Sequence, residues 1–99
     1  MTVTQFSKFD VSDYLNSDEA MLEYLAVAME DENPDVFIAA LGAVARARGM
    51  SHVADAAGLG RESLYKALKP GSKLRYETVQ KILHSLGFRL AVEKSSNAA

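Results

Sequence analysis

Apolar side chains recur every three or four residues along most of this chain, which is the pattern of amphipathic helices. The first clear stripe follows Ser17, whose hydroxyl suits a helix N-cap, and it ends at the acidic run 30–32, which opposes a helix dipole there. The second stripe begins at Asn33-Pro34 and ends at Gly49, with a capping residue and proline at its start and glycine at its end. Two complete helices are therefore predicted in the first half.

Shorter elements follow in the second half. Helices are predicted from Ser51 to Gly58, from Arg61 to Leu68, and before Gly87. Residues 88–93 alternate apolar and polar side chains, which predicts a short strand. The expected fold class is mostly α, a five- to six-helix domain with a short C-terminal β-strand.

Length and composition narrow the class of protein. The chain has 99 residues, 48% of them hydrophobic and 24% charged, which is typical of one globular domain. It contains no Cys, no apolar run near the ~18 residues of a membrane span, and no pattern of a signal peptide at its start. We expect a soluble, cytoplasmic protein with a single domain, residues 1–99.

The net charge of −2 conceals an asymmetry between the two halves. Residues 1–40 contain nine acids and one base, a net charge of −8, whereas residues 41–99 contain ten bases and four acids, a net charge of +6. Such a division suggests a basic partner for the first part and an anionic partner for the second. The alternative is an acidic, solvated helix face with no partner.

The segment from Met50 to Leu68 has the spacing of a helix-turn-helix, two short helices joined by a turn that contains glycine. Ala54 is small enough for a helix crossing, and Gly58 suits a left-handed turn. Leu59 and Leu64 are placed to anchor the turn and the second helix to a core.

In this interpretation Arg61–Leu68 is a recognition helix that enters the major groove of DNA. The Arg61 guanidinium can donate hydrogen bonds to guanine, and the Glu62 carboxylate can accept one from cytosine. The Lys66 ammonium can reach a base or a phosphate. Basic residues of the following loop suit the phosphate backbone. The candidate DNA-binding residues are Ser51, His52, Arg61, Glu62, Ser63, Tyr65, Lys66, Lys69, Lys73 and Arg75. The alternative is a solvated basic face with no ligand.

Two resemblances follow from these motifs. Residues 50–68 resemble the Cro/repressor (Xre-like) helix-turn-helix. Residues 9–93, which include L-G-F-R-L-A-V-E and have R-E-S-L-Y-K-A-L and A-R-A-R-G-M as the most specific pieces, resemble HigA-type addiction-module antidote proteins. The resemblance implies a bacterial type II antitoxin that neutralises a small basic toxin of the RelE/ParE superfamily and represses its own operon by binding double-stranded DNA.

If the chain is such an antitoxin, the domain divides into three parts. These are an acidic helical part (9–48) as the candidate toxin-binding region, the DNA-binding part (49–87), and the strand (88–93) as the candidate dimerisation element. Because a lone strand needs a partner, we expect it to pair between two protomers of a homodimer, or alternatively within the chain. Tyr14, Leu15 and Tyr24 interrupt the acidic surface and are the candidate toxin contacts. The alternative is that they complete the domain's own core.

Other function classes were weighed against this one. No catalytic or metal-binding motif accompanies the two histidines, so we expect no enzyme, no metal and no cofactor. A free-standing helix-turn-helix regulator without a toxin remains an alternative, as does a module that binds only protein. A repressor alone does not need forty residues with a net charge of −8, and this favours the antitoxin.

Overall fold

The computed structural model describes residues 11–95 and forms helices over most of them. In chain order they are α1 (Val11–Tyr14), α2 (Asp18–Met29), α3 (Pro34–Arg48), α4 (Met50–Ala57), α5 (Arg61–Ala67) and α6 (Tyr76–Ser85). Five of these have seven residues or more, and α1 is a single turn. The predicted mostly α class is confirmed. Residues 1–10 and 96–99 lie outside the described residues.

The two long helices begin where local side-chain chemistry predicts. The Ser17 Oγ accepts a hydrogen bond from the Ala20 N–H at 3.1 Å, and the Asn33 Oδ1 accepts one from the Asp35 N–H at 3.0 Å. Each bond satisfies a backbone donor that the first helical turn leaves without a partner. Helix α4 begins at Met50, one residue before the predicted Ser51, and its N-cap Gly49 makes no side-chain bond.

All six helices contribute to one apolar core. Helix α3 packs against α1, α2 and α4, and α4 packs in turn against α5 and α6. Leu41, Val44, Val53, Leu64 and Ile82 have no exposed surface at all. Burial of one such side chain is worth roughly 1.5–3 kcal/mol, so the contacts around α3 and α4 hold α5 in place.

The predicted strand at 88–93 is wrong, because residues 86–95 contain no strand. Helix α6 ends instead in a Schellman motif, in which the Phe88 N–H donates to the Leu83 carbonyl at 2.8 Å. Phe88 and Leu90 are half-buried against the helical core, while Arg89 between them is exposed. The alternation of Phe88 and Leu90 with exposed residues arises from one-sided packing on helices, which produces the same period of two as a strand, whereas Val92 is fully exposed.

Candidate functional site

Helices α4 and α5 are joined by the three-residue turn 58–60. Gly58 has φ 71° and ψ 31°, the left-handed conformation that costs little only for glycine. The Leu59 N–H donates to the Ala54 carbonyl at 2.9 Å, and the Gly58 N–H donates to the Asp55 carbonyl at 3.2 Å. These bonds close a second Schellman motif, in which Leu59 is half-buried against the core. The turn therefore fixes the direction in which α5 leaves α4.

Helix α5 has one buried and one exposed side. Leu64 is fully buried, and Leu68, the residue that caps the helix, is nearly so. The side chains that face solvent are those of Arg61, Glu62, Ser63, Tyr65 and Lys66. The prediction that Leu64 anchors this helix to the core is confirmed, and five polar or aromatic side chains are left exposed on a rigidly anchored helix.

Arg61 and Tyr65 form a pair on this exposed side. The guanidinium carbon of Arg61 lies 5.7 Å from the centroid of the Tyr65 ring, within the range of a cation–π contact. Tyr65 is itself 44% exposed. The i, i+4 spacing of an arginine and an aromatic residue was the sequence signal for this pair, and the sequence analysis did not use it.

The loop after α5 carries three further bases at defined positions. The Ser72 hydroxyl donates to the Ala67 carbonyl at 2.6 Å, which holds the loop against the end of α5. Lys69, Lys73 and Arg75 are exposed, and Leu74, between the last two, packs against the core. Within residues 11–95 none of these bases forms an ion pair, and their charges remain open to an anionic ligand.

Ser51 and His52 lie apart from these residues in the chain, in the first turn of α4. Both side chains are exposed, and neither makes a capping bond. Both side chains are accessible to DNA, and their role in binding it stays a prediction. The structure thus places the side chains of all ten candidate DNA-binding residues at the surface.

The three candidate toxin contacts differ in their surroundings. Leu15 is 2% exposed and belongs to the core, so a partner does not reach its side chain in this structure. Tyr24 is half-buried and packs against that core. Tyr14 is 51% exposed and is the most accessible of the three.

Within residues 11–95 one ion pair, which the sequence did not indicate, connects the acidic and basic halves. The Arg48 guanidinium donates to the Asp18 carboxylate at 2.6 Å, with a further contact to the Met21 sulfur at 3.5 Å. It joins the end of α3 to the start of α2. Because its partners are 30 residues apart, no local pattern signals this pair.

Comparisons with known proteins define the class to which this helical chain belongs. The model of the family described as probable addiction module antidote protein matches residues 5–94. A relative from Haemophilus influenzae, described as an uncharacterized protein, is 38% identical over 91 residues, which are 92% of this chain and 94% of the relative. No solved structure matches the chain significantly.

The chain belongs to this family of probable addiction module antidote proteins. An antidote implies a toxin as its partner, and membership favours a regulatory protein over an enzyme. Among residues 11–95 no helix is long and apolar enough to cross a membrane, and no three His, Asp or Glu side chains converge as a metal site would require.

Proposed function

We propose that this chain is the antitoxin of a bacterial type II toxin–antitoxin module of the HigA type. It neutralises a small basic toxin of the RelE/ParE superfamily and represses its own operon through an Xre-like helix-turn-helix formed by α4 and α5. Family membership supports the antitoxin role, while the toxin class rests on the sequence resemblance.

The observation that carries the DNA-binding part is the division of α5. Leu64 and Leu68 fix one side of the helix to the core, and Arg61 and Lys66 project from the other, where neither forms an ion pair within residues 11–95. A helix held in this way presents donors at a defined orientation, as base recognition in the major groove requires. The exposed bases of the following loop supply the contacts that hold the phosphate backbone.

We further propose that the chain binds DNA as a homodimer. Helix α5 has seven residues, and one such helix reads only a few base pairs. Two copies related by a two-fold axis, with their recognition helices about 34 Å apart, read two half-sites of a palindromic operator. Such a complex works in the cytoplasm, where both the operon and the targets of a RelE/ParE-like toxin are found.

To test the proposal, the neighbouring reading frame, which should encode the toxin, is expressed in bacterial cells with and without this chain, and growth is measured. Growth arrest by the neighbour alone and rescue by this chain support the antitoxin. A gel shift of the purified chain on its own promoter region, with unrelated DNA as competitor, tests the repressor. Growth without arrest, or arrest without rescue, contradicts the first activity; binding that unrelated DNA competes away equally contradicts the second.

A further inference from the structure

An open groove lies at the corner where α2 ends and α3 begins, and its wall includes residues of both the acidic and the basic half. We name it the corner groove; it has a volume of about 320 Å³. Its wall is formed by Met29, Asp31, Glu32, Phe37, Leu74 and Val79, among others. These residues come from α2, the turn after it, α3, the loop before α6, and α6 itself.

The floor of the corner groove is apolar and incompletely covered. Met29 is 50% exposed, and Phe37, Leu74 and Val79 are half-buried. Met29 and Phe37 also line a second apolar depression that continues to Leu22, itself exposed. Single exposed apolar residues are ordinary, but adjoining ones in a concave surface are typical of an interaction site.

The rim of the corner groove is acidic in a place where the fold does not favour acids. Residues 30–32 are three consecutive acids at the C-terminal end of α2, where the helix dipole favours cations. The Asp31 carboxylate has a structural role, since it accepts a hydrogen bond from the Asn33 N–H at 2.9 Å. Glu30 and Glu32 form no ion pair or side-chain hydrogen bond within residues 11–95. A locally unfavourable charge is expected at functional sites, where a partner compensates for it.

We infer that the corner groove binds the toxin, through a segment in which an aliphatic or aromatic side chain is flanked by Lys or Arg. The apolar side chain enters between Met29, Phe37 and Leu74, and the bases meet Asp31 and Glu32 in the wall, with Glu30 next to them in the chain. This inference rests on the proposed antitoxin function and specifies its surface. Charge steers the encounter, and the buried apolar contact determines how long the complex lasts.

Charge also distinguishes this occupant from others. The acids of the rim repel the phosphates of DNA, although the groove adjoins the loop of Lys73 and Arg75, to which the proposed function assigns the phosphate contacts. A symmetric contact between two copies through this groove would bring two sets of the acids 30–32 together, which is unfavourable. A basic protein is the partner whose charge fits.

The test uses point variants of the full chain. A chain that begins at Asn33 is unsuitable, because it lacks the buried Leu15, Met21 and Leu25 and would not keep its core. The probe is the toxin itself, the product of the neighbouring reading frame, separated from the co-expressed complex in denaturant and refolded. Its dissociation constant is measured for each variant by calorimetry, and circular dichroism confirms that the variants fold.

Two matched pairs of variants separate the groove from the rest of α2. Met29→Lys should weaken toxin binding by about tenfold or more, the size of effect expected at a central contact. Its control is Val27→Lys, since Val27 is 67% exposed on the same helix and does not line the groove, and binding should stay within about twofold of the unaltered chain.

Glu32→Arg should weaken binding by about two- to fivefold relative to Glu23→Arg, an identical charge change at an exposed site outside the groove. That difference should shrink between about 0.1 M and 1 M NaCl, because the Debye length falls from about 10 Å to about 3 Å.

Three outcomes would overturn the inference. Equal toxin binding by the Met29→Lys and Val27→Lys variants places the contact elsewhere. A change in the sedimentation of the chain alone, caused by Met29→Lys and not by Val27→Lys, makes the groove a contact between copies. If the unaltered chain itself binds no toxin, the proposed function fails together with the inference.

Discussion

The Arg61 guanidinium lies over the Tyr65 ring, one helical turn further along α5, with 5.7 Å between its central carbon and the ring centroid. The contact restricts a long side chain that would otherwise sample many rotamers in solvent. In the proposed DNA-binding function, Tyr65 holds the Arg61 side chain in place before DNA binds. Because that side chain is already restricted, less conformational entropy is lost on binding.

Arg61→Ala should therefore weaken operator binding by about 1–3 kcal/mol, or roughly five- to 150-fold, and should relax the preference at one base pair. Tyr65→Leu should weaken the same preference to a smaller extent, and Tyr65→Phe should restore it because the ring is retained. Gel shifts on operators with each base pair replaced in turn measure both effects. Lys81→Ala, at an exposed base of α6, is the control. Unchanged base preference in the Arg61→Ala variant would show that α5 does not read the sequence.

The loop bases should behave differently from Arg61. Lys69→Ala and Lys73→Ala remove exposed charges that form no ion pair within residues 11–95. Each variant should weaken binding to operator and unrelated DNA by similar factors, and should reduce the slope of log K against log salt by about 1, because one fewer counterion is released. Titrations at several NaCl concentrations measure the slope. A variant that loses operator binding but keeps binding to unrelated DNA would assign that lysine to base recognition instead.

Much of the fold was predictable because its signals are local. Ser17 and Asn33 form the predicted caps, and Gly58 adopts the predicted left-handed conformation. Each of these depends on chemistry within a few residues, and local chemistry is visible in a sequence. The exposed side of α5 was predictable for the same reason, since helical periodicity assigns Leu64 to the core.

The errors and omissions concern contacts between distant residues. Phe88 and Leu90 alternate with exposed residues because they pack on helices, and the period alone does not distinguish this from strand pairing. The pairing of Asp18 with Arg48 joins residues 30 positions apart. The corner groove brings Met29 and Leu74 together, and nothing near either residue in the sequence indicates the other.

The turn between α4 and α5 gives a prediction about stability. Gly58→Ala should lower the free energy of unfolding by about 1–2 kcal/mol, the cost of a left-handed backbone for a residue with a Cβ. No atom lies within 4 Å of the added Cβ, and steric clash contributes nothing. Gly60→Ala is the matched control, since Gly60 has φ −68° and its added Cβ meets only Ser63 Oγ, at 3.7 Å. That variant should be neutral or more stable by up to about 1 kcal/mol. Equal losses for the two variants in urea unfolding would contradict this account.

The ion pair between Arg48 and Asp18 should contribute little despite its 2.6 Å distance. The two side chains are 27% and 72% exposed, so water and salt screen the interaction. A double-mutant cycle with Asp18→Asn and Arg48→Met should give a coupling energy below about 1 kcal/mol, and the energy should fall further near 1 M NaCl. A coupling of several kcal/mol that salt does not change would show that the pair is effectively buried.

Stability and toxin binding should separate the three candidate contacts in the acidic half. Leu15→Ala should lower the free energy of unfolding by about 2–5 kcal/mol, because Leu15 is almost fully buried and its removal leaves a cavity. Tyr14→Ser should change stability by less than about 0.5 kcal/mol, as expected for a surface site, since half of the Tyr14 side chain is in solvent. Tyr24, half-buried, should lie between them. Calorimetric titration with the toxin then decides whether Tyr14 extends the interface: weaker binding by the Tyr14→Ser variant, at unchanged stability, makes it a contact. Unchanged binding by that variant would limit the interface to other residues and leave Tyr14 as a solvated side chain beside the core.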